Sequence, residues 1–178
     1  MADPRPIAPA PRVTVAPLPH AAFGVLRLGR GVDPETLAAI GAALGLALPQ
    51  VANRAVGRTP RVLWTAPLEW TLIDASPAQL AALESACAGV LSHYADLTGG
   101  RVGLRIVGED ARNLIATECP LDLSAPAFPP GCCAQSLFAG VPILIDRPDG
   151  EDGLRLYVDV SLADHLTAWL AAAAEGLA

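Results

Sequence analysis

Leu154-Arg155-Leu156-Tyr157-Val158-Asp159-Val160 alternates apolar and polar side chains without a break, and Ser161-Leu162-Ala163-Asp164-His165-Leu166 follows it directly. Side chains on a strand point to opposite faces in turn. Leu154, Leu156, Val158 and Val160 therefore predict a buried face, and Arg155, Tyr157 and Asp159 a face turned to water or to a partner. The hydroxyl of Ser161 predicts the cap of a last helix with Leu162, Leu166, Trp169 and Leu170 inward. A half-covered strand running into a helix in this way belongs to an antiparallel sheet with helices packed on one side.

The same pattern recurs upstream. An apolar strand over 23–28 precedes Asp33-Pro34-Glu35, which supplies an N-cap, a proline at the first helical position and a first-turn carboxylate, with Leu37, Ile40, Gly41 and Leu44 at helical spacing. Residues 62–64 and 70–73 flank the turn Ala66-Pro67-Leu68-Glu69 and read as a hairpin. Ser76-Pro77-Ala78-Gln79 is a capping box opening a helix whose stripe is Leu80, Leu83, Cys87, Val90 and Leu91. Residues 94–97 and 102–107 flank Gly99-Gly100, which predicts a second hairpin, and the helix that follows ends near Cys119-Pro120 because proline cannot continue it. Residues 136–145 and 154–160 give the last strands, with a turn at Pro148-Asp149-Gly150.

The fold expected is therefore α+β, in two β-α-β-β-α-like units of about 22–92 and 93–178, the second carrying one strand more than the first. Residues 1–21 hold six prolines and read as an extended arm, with the folded part beginning near Phe23.

Only 17% of the residues are charged and 52% are apolar, so either part of the surface is hidden in a complex or the chain simply follows a composition rich in Ala and devoid of Lys. The net charge of -6, with arginines scattered singly, excludes a nucleic-acid-binding face. No apolar run suits a membrane span and no secretory signal is read, which leaves the cytoplasm as the expected location.

Chemistry is hard to find in these residues. Without Lys there is no Schiff-base nucleophile and no phosphate-loop lysine. Gly29-Arg30-Gly31 lacks the third glycine of a nucleotide turn and meets Pro34 instead. His20, His93 and His165 stand apart from any partner at ligand or catalytic spacing. Cys87, Cys119, Cys132 and Cys133 read as reduced, mostly buried thiols. Glu109-Asp110 reads as a helix start rather than an acid/base pair. Catalytic, cofactor-binding and metal-ligating residues are each expected to be none.

One segment is apolar where connections are usually polar: Cys119-Pro120-Leu121-Asp122-Leu123, then Pro126 to Gly131, then Cys133-Ala134-Gln135. Leu121, Leu123 and Phe128 must be buried against something, and another protein is one such surface. Trp64 and Trp70 bracket the first hairpin turn, where either packs in the core or serves as an exposed anchor. The residues expected at a partner interface are Trp70, Leu121, Leu123, Phe128, Pro129 and Pro130.

These motifs carry a family likeness. Ala66-Pro67-Leu68-Glu69-Trp70, the strand and helix over 102–116, the Cys119 to Gln135 run and the final strand and helix over 154–170 resemble the gamma subunit of heterotetrameric sarcosine oxidase. Ala66 and Leu68 depart from that family's turn. The resemblance implies a fragment of the folate-binding aminomethyltransferase fold acting as a non-catalytic structural subunit. Its partners would be alpha, beta and delta subunits, which hold FAD, FMN, NAD, tetrahydrofolate and zinc. The complex would demethylate sarcosine oxidatively and pass the one-carbon unit to tetrahydrofolate. Two rivals remain: a stand-alone folate-binding or aminomethyltransferase-like module using Asp96 and Arg101, and a related complex acting on another N-methyl amino acid.

Overall fold

The computed structural model describes residues 12–19 and 22–176. The chain order is β1 (Thr14–Pro17), β2 (Phe23–Leu28), α1 (Pro34–Leu44), β3 (Ala55–Val56), β4 (Arg61–Ala66), β5 (Glu69–Ile73), α2 (Pro77–Ala86), β6 (Ser92–Asp96), β7 (Arg101–Val107), α3 (Ala111–Ala116), β8 (Cys132–Phe138), β9 (Val141–Arg147), β10 (Leu154–Asp159) and α4 (Ala163–Glu175). These build two five-stranded sheets, ordered β3-β4-β5-β2-β6 and β1-β7-β10-β9-β8. Every neighbouring pair is antiparallel. The expected α+β class with antiparallel sheets and helices on one side is the fold observed.

The two sheets are copies of one plan. Taken by sheet position and chain order, β2, α1, β3, β4, β5, α2 and β6 correspond to β7, α3, β8, β9, β10, α4 and β1. The second unit therefore has no extra strand: β6, expected in the second unit, pairs with β2 in the first, and β3 was too short to show as a pattern. The strand that closes the second unit is β1, from the other end of the chain.

This corrects two expectations. The proline-rich segment is folded from Arg12 to Pro19: β1 pairs with β7 from Thr14↔Val107 to Pro17↔Leu104, and Leu18 N donates to Gly103 O at 2.8 Å. Prolines are tolerated because β1 is an edge strand that needs hydrogen bonds on one side only. Residues 1–11, 20 and 21 of the expected arm lie outside the described residues. Close docking of β1 also requires Gly108, whose φ is 119° and whose Cβ, were it present, would lie 2.2 Å from Arg12 O. The second correction concerns Gly99-Gly100, which does not close a hairpin. β6 pairs with β2, while β7 pairs with β1 and β10, so the turn carries the chain from one sheet to the other and marks the true boundary between units.

Each sheet has one face under helices and the other against its counterpart. Ile40, Leu44 and Leu83 cover the first sheet over Leu26, Val62 and Trp70. Leu114, Leu166 and Leu170 cover the second over Ile106, Ile145 and Leu156. Between the sheets lie Phe23, Leu63, Ile73, Cys133 and Tyr157, with the Phe23 and Tyr157 rings 5.7 Å apart. The polar-looking face of β10 thus meets neither water nor a foreign partner at Tyr157; it meets the other sheet.

Local signals mostly hold. Asp33 accepts from Thr36 N at 2.7 Å, and Ser76 and Gln79 form the capping box. The α2 stripe is shorter than expected: the helix stops at Ala86 and Leu91 is 82% exposed. Ser161 does not cap α4. Asp159 accepts from Ser161 N at 3.0 Å and caps a 3-10 turn, Val160–Leu162, that precedes the helix. Residues 136–145 are interrupted by a two-residue turn, Ala139-Gly140, where both φ values are positive (48° and 79°).

Candidate functional site

The proline-dense loop between α3 and β8 is held by its own chain. Pro120 cannot continue the helix, and Cys119 N still reaches Ile115 O at 3.0 Å. Asp122 accepts from Ser124 N at 2.9 Å, Phe128 N donates to Ser124 O at 2.9 Å, and Gly131 N donates to Arg147 O at 2.8 Å. The Arg147 guanidinium donates to Phe128 O. At its far end the loop is stitched to the first unit: Ala55 N donates to Gly131 O and Cys133 N to Asn53 O, both at 2.9 Å.

That bonding decides which of the expected interface residues remain accessible. Leu123 and Phe128 are 3% and 4% exposed in the core of the second unit, so the surface that buries them is this chain's own. Trp70 is 1% exposed and donates from Nε1 to Pro49 O at 2.8 Å, which removes it as an exposed anchor. Leu121 and Pro129 are half-buried and Pro130 is exposed, so only these three stay available to a partner.

A cleft of about 990 Å³ opens beside them, bounded by α3, residues 121–124, the end of β9 and residues 151–154. Arg112 and Arg147 line it as half-buried cations, and Glu109 and Asp152 stand on it as exposed carboxylates. Asp110 does not cap α3. It turns to Arg12 Nε at 2.7 Å and accepts from Asn113 Nδ2 at 2.8 Å, tying β1 to the helix start.

Asp96 and Arg101 each have a partner within the chain. Asp96 Oδ1 accepts from Thr98 N at 2.8 Å, and the Thr98 hydroxyl and amide hold its carboxyl below the ordinary value. Arg101 pairs with Asp159 at 3.9 Å and lines a cleft between the sheets of about 240 Å³. Asp96 does not line that cleft, so the structure does not bring the two residues to one pocket.

The feature that sequence reading missed is ionic. Arg61, on β4, places Nε 2.9 Å and a terminal nitrogen 2.6 Å from the two carboxylate oxygens of Asp146, on β9, and both residues are buried. A further terminal nitrogen donates to Gly57 O at 2.9 Å. Burial pushes the Asp146 carboxyl up while Arg61 pulls it down. Nearby, the Tyr157 hydroxyl and Arg155 Nε are buried without a hydrogen-bond partner among the described residues. An Asp directly after the apolar run Val141-Pro142-Ile143-Leu144-Ile145, within the same strand, was the available signal.

His93 and His165 are both exposed, and His20 lies outside the described residues. All four cysteines are free; Cys119, Cys132 and Cys133 are buried and Cys87 is half-buried. Among the described residues no cluster of His, Cys, Asp and Glu is placed to hold a metal, and no helix is long and apolar enough to cross a membrane.

Two duplicated antiparallel units, packed sheet to sheet between outer helices, define the class of structure, and the comparisons agree with it. Residues 28–175 match the sarcosine oxidase, gamma subunit family, and the chain belongs to that family. A chain of the heterotetrameric sarcosine oxidase from Corynebacterium sp. U-96, solved in complex with pyrrole 2-carboxylate, superposes with a TM-score of 0.85. The two are 28% identical, over 94% of this chain and 87% of that one. The glycine cleavage system aminomethyltransferase T from Bartonella henselae superposes with a TM-score of 0.60 at 19% identity, over 89% of this chain and 45% of that one, a likeness of fold. No curated protein matches at the sequence level.

Proposed function

We propose that this chain is a non-catalytic, structural subunit of a heterotetrameric sarcosine oxidase. Its partners in this reading are the alpha, beta and delta subunits of a cytoplasmic assembly that demethylates sarcosine oxidatively and passes the one-carbon unit to tetrahydrofolate. FAD, FMN, NAD, tetrahydrofolate and zinc belong to those partners. The observation that carries the reading is the superposition, nearly end to end, on a chain from such a heterotetramer.

The use of polar groups supports it. Asp122 is spent on a turn, Asp110 on Arg12 and Asp146 on Arg61, so the carboxylates nearest the loop and the sheet interface hold the fold together. The apolar residues that the loop leaves exposed are Ala125, Pro126, Ala127 and Pro130, with Leu121 and Pro129 half-buried beside them, and they offer a contact surface.

Co-expression with sarcosine oxidase alpha, beta and delta subunits tests the proposal. The chain is expected to co-purify with them in fixed stoichiometry, and Pro130→Asp to weaken that association without lowering the melting temperature of the free chain. A free chain that ignores the subunits in a pull-down, or that alone turns over sarcosine, overturns it.

A further inference from the structure

The layer between the sheets is apolar at its centre and opens into a polar-mouthed cleft beside it. The register of β2 on β5 sets Phe23 opposite Ile73, Val25 opposite Thr71 and Arg27 opposite Glu69, and the period of two turns all six toward the second sheet. Phe23 and Ile73 belong to the packed centre. Beyond them the sheets leave a cleft of about 240 Å³, which Leu144 and Tyr157 line from the other side. Thr71 and Tyr157 are buried on its inner wall, while Arg27 is exposed and Arg101 half-buried at its mouth.

Two guanidiniums face one carboxylate among the lining residues, and that carboxylate is already engaged. Glu69 Oε2 accepts from Arg27 Nε at 2.7 Å, and Oε1 accepts from the Thr65 hydroxyl at 3.2 Å. Arg101 meets only Asp159, which does not line the cleft, at 3.9 Å. Both partners of that contact are open to water, so it holds the Arg101 guanidinium weakly. An apolar wall is thus set beside a cation whose hydrogen-bond donors are mostly unspent.

We infer that this cleft binds a small organic carboxylate, its apolar body against Val25, Leu144 and Tyr157 and its charged end on Arg101. The inference goes beyond the subunit reading and does not depend on it. A mostly apolar wall with a few polar groups at one end is the make-up of a small-ligand site. The volume has room for about eight non-hydrogen atoms at the roughly 30 Å³ that a water takes in the liquid. A guanidinium fork matches a carboxylate bidentately, which fixes the orientation of so small a molecule. A bare anion such as phosphate would leave the apolar wall uncovered.

Titration of the ¹⁵N-labelled full chain with isobutyrate, read by amide NMR, tests the inference. Saturable shifts are expected at Val25, Thr71 and Leu144 and not along α3, with a dissociation constant on the order of 1 mM. Isobutyramide has the same shape without the charge and is expected to bind at least about tenfold more weakly. Arg101→Gln is expected to weaken isobutyrate by a similar factor and to melt with the wild type, because it gives up only the loose contact with Asp159. Shifts that stay linear in concentration, or that centre on another surface, overturn the inference. Equal binding of isobutyramide, or of isobutyrate to Arg101→Gln, does the same. Saturation of these residues by inorganic phosphate, with no response to isobutyrate, assigns the cleft to a bare anion and also overturns it. Co-purification with the partner subunits is a separate measurement, so the failure of one reading leaves the other standing.

Discussion

Arg61 and Asp146 meet from opposite sheets, guanidinium to carboxylate, with side chains 3% and 0% exposed. Taking two charges out of water is costly, and the attraction between them offsets that cost only while both are present. Arg61→Met or Asp146→Leu alone therefore leaves a buried unpaired charge and is expected to destabilise the chain by about 3–5 kcal/mol, whereas the double substitution recovers most of that loss. Urea unfolding of the three variants checks this. Additive losses in the double variant would show that the two groups act independently.

A second expectation concerns alkaline pH. Burial, then the charge of Asp146, pushes the Cys133 thiol from 9.0 to about 12 and the Tyr157 phenol from 10.0 to about 12. Each group stays protonated in the fold at pH values where the unfolded chain has already released its proton. The folded state then binds more protons, so stability is complete below about pH 9 and falls progressively toward pH 12. Urea midpoints measured at pH 8, 9.5 and 11 should decline in that order, and Tyr157→Phe should flatten the decline. Iodoacetamide at pH 8 should leave Cys133 unlabelled until denaturant is added.

A third expectation follows from β1. Removing residues 1–19 strips β7 of its edge partner and Asp110 of Arg12, leaving an unpaired row of backbone groups beside a carboxylate that is almost fully buried. The shortened chain is expected to unfold at lower urea and to self-associate, as read by light scattering. Arg12→Ala alone should give the loss of stability without the association. A truncated chain that stays monomeric would mean that β1 does not protect the edge.

Much of this architecture was legible because it is written locally. Asp33, Ser76 and Gln79 announce their helices through hydrogen bonds that span three residues, and β10 shows its two faces by alternation. What sequence reading misassigned depends on partners far along the chain. Periodicity shows that β6 and β7 are strands but cannot say that one pairs with Gly24 and the other with Leu154, so the glycines between them looked like a hairpin. Ala139 hides a turn because alanine seldom takes a positive φ. Leu68 likewise adopts a φ of 58°, and the hairpin closes between Ala66 and Glu69.

The loop from Cys119 to Cys133 was half legible for the same reason. An apolar loop must be covered, but its composition does not name the cover: Leu123 and Phe128 are covered from within, Leu121 and Pro129 are half-buried, and Pro130 is exposed. The cleft arginines gave no signal at all, because Arg112 and Arg147 stand in separate elements and become neighbours only when α3 and β9 are packed.

Because Thr14 pairs with Val107, the earliest-made strand waits for a seat that is synthesised long after it. Closing so wide a loop is entropically slow, and until it happens the later half of the nascent polypeptide shows a raw border to its surroundings. A permuted gene that moves residues 12–19 to follow α4, which already touches β1, should shorten that delay and speed refolding.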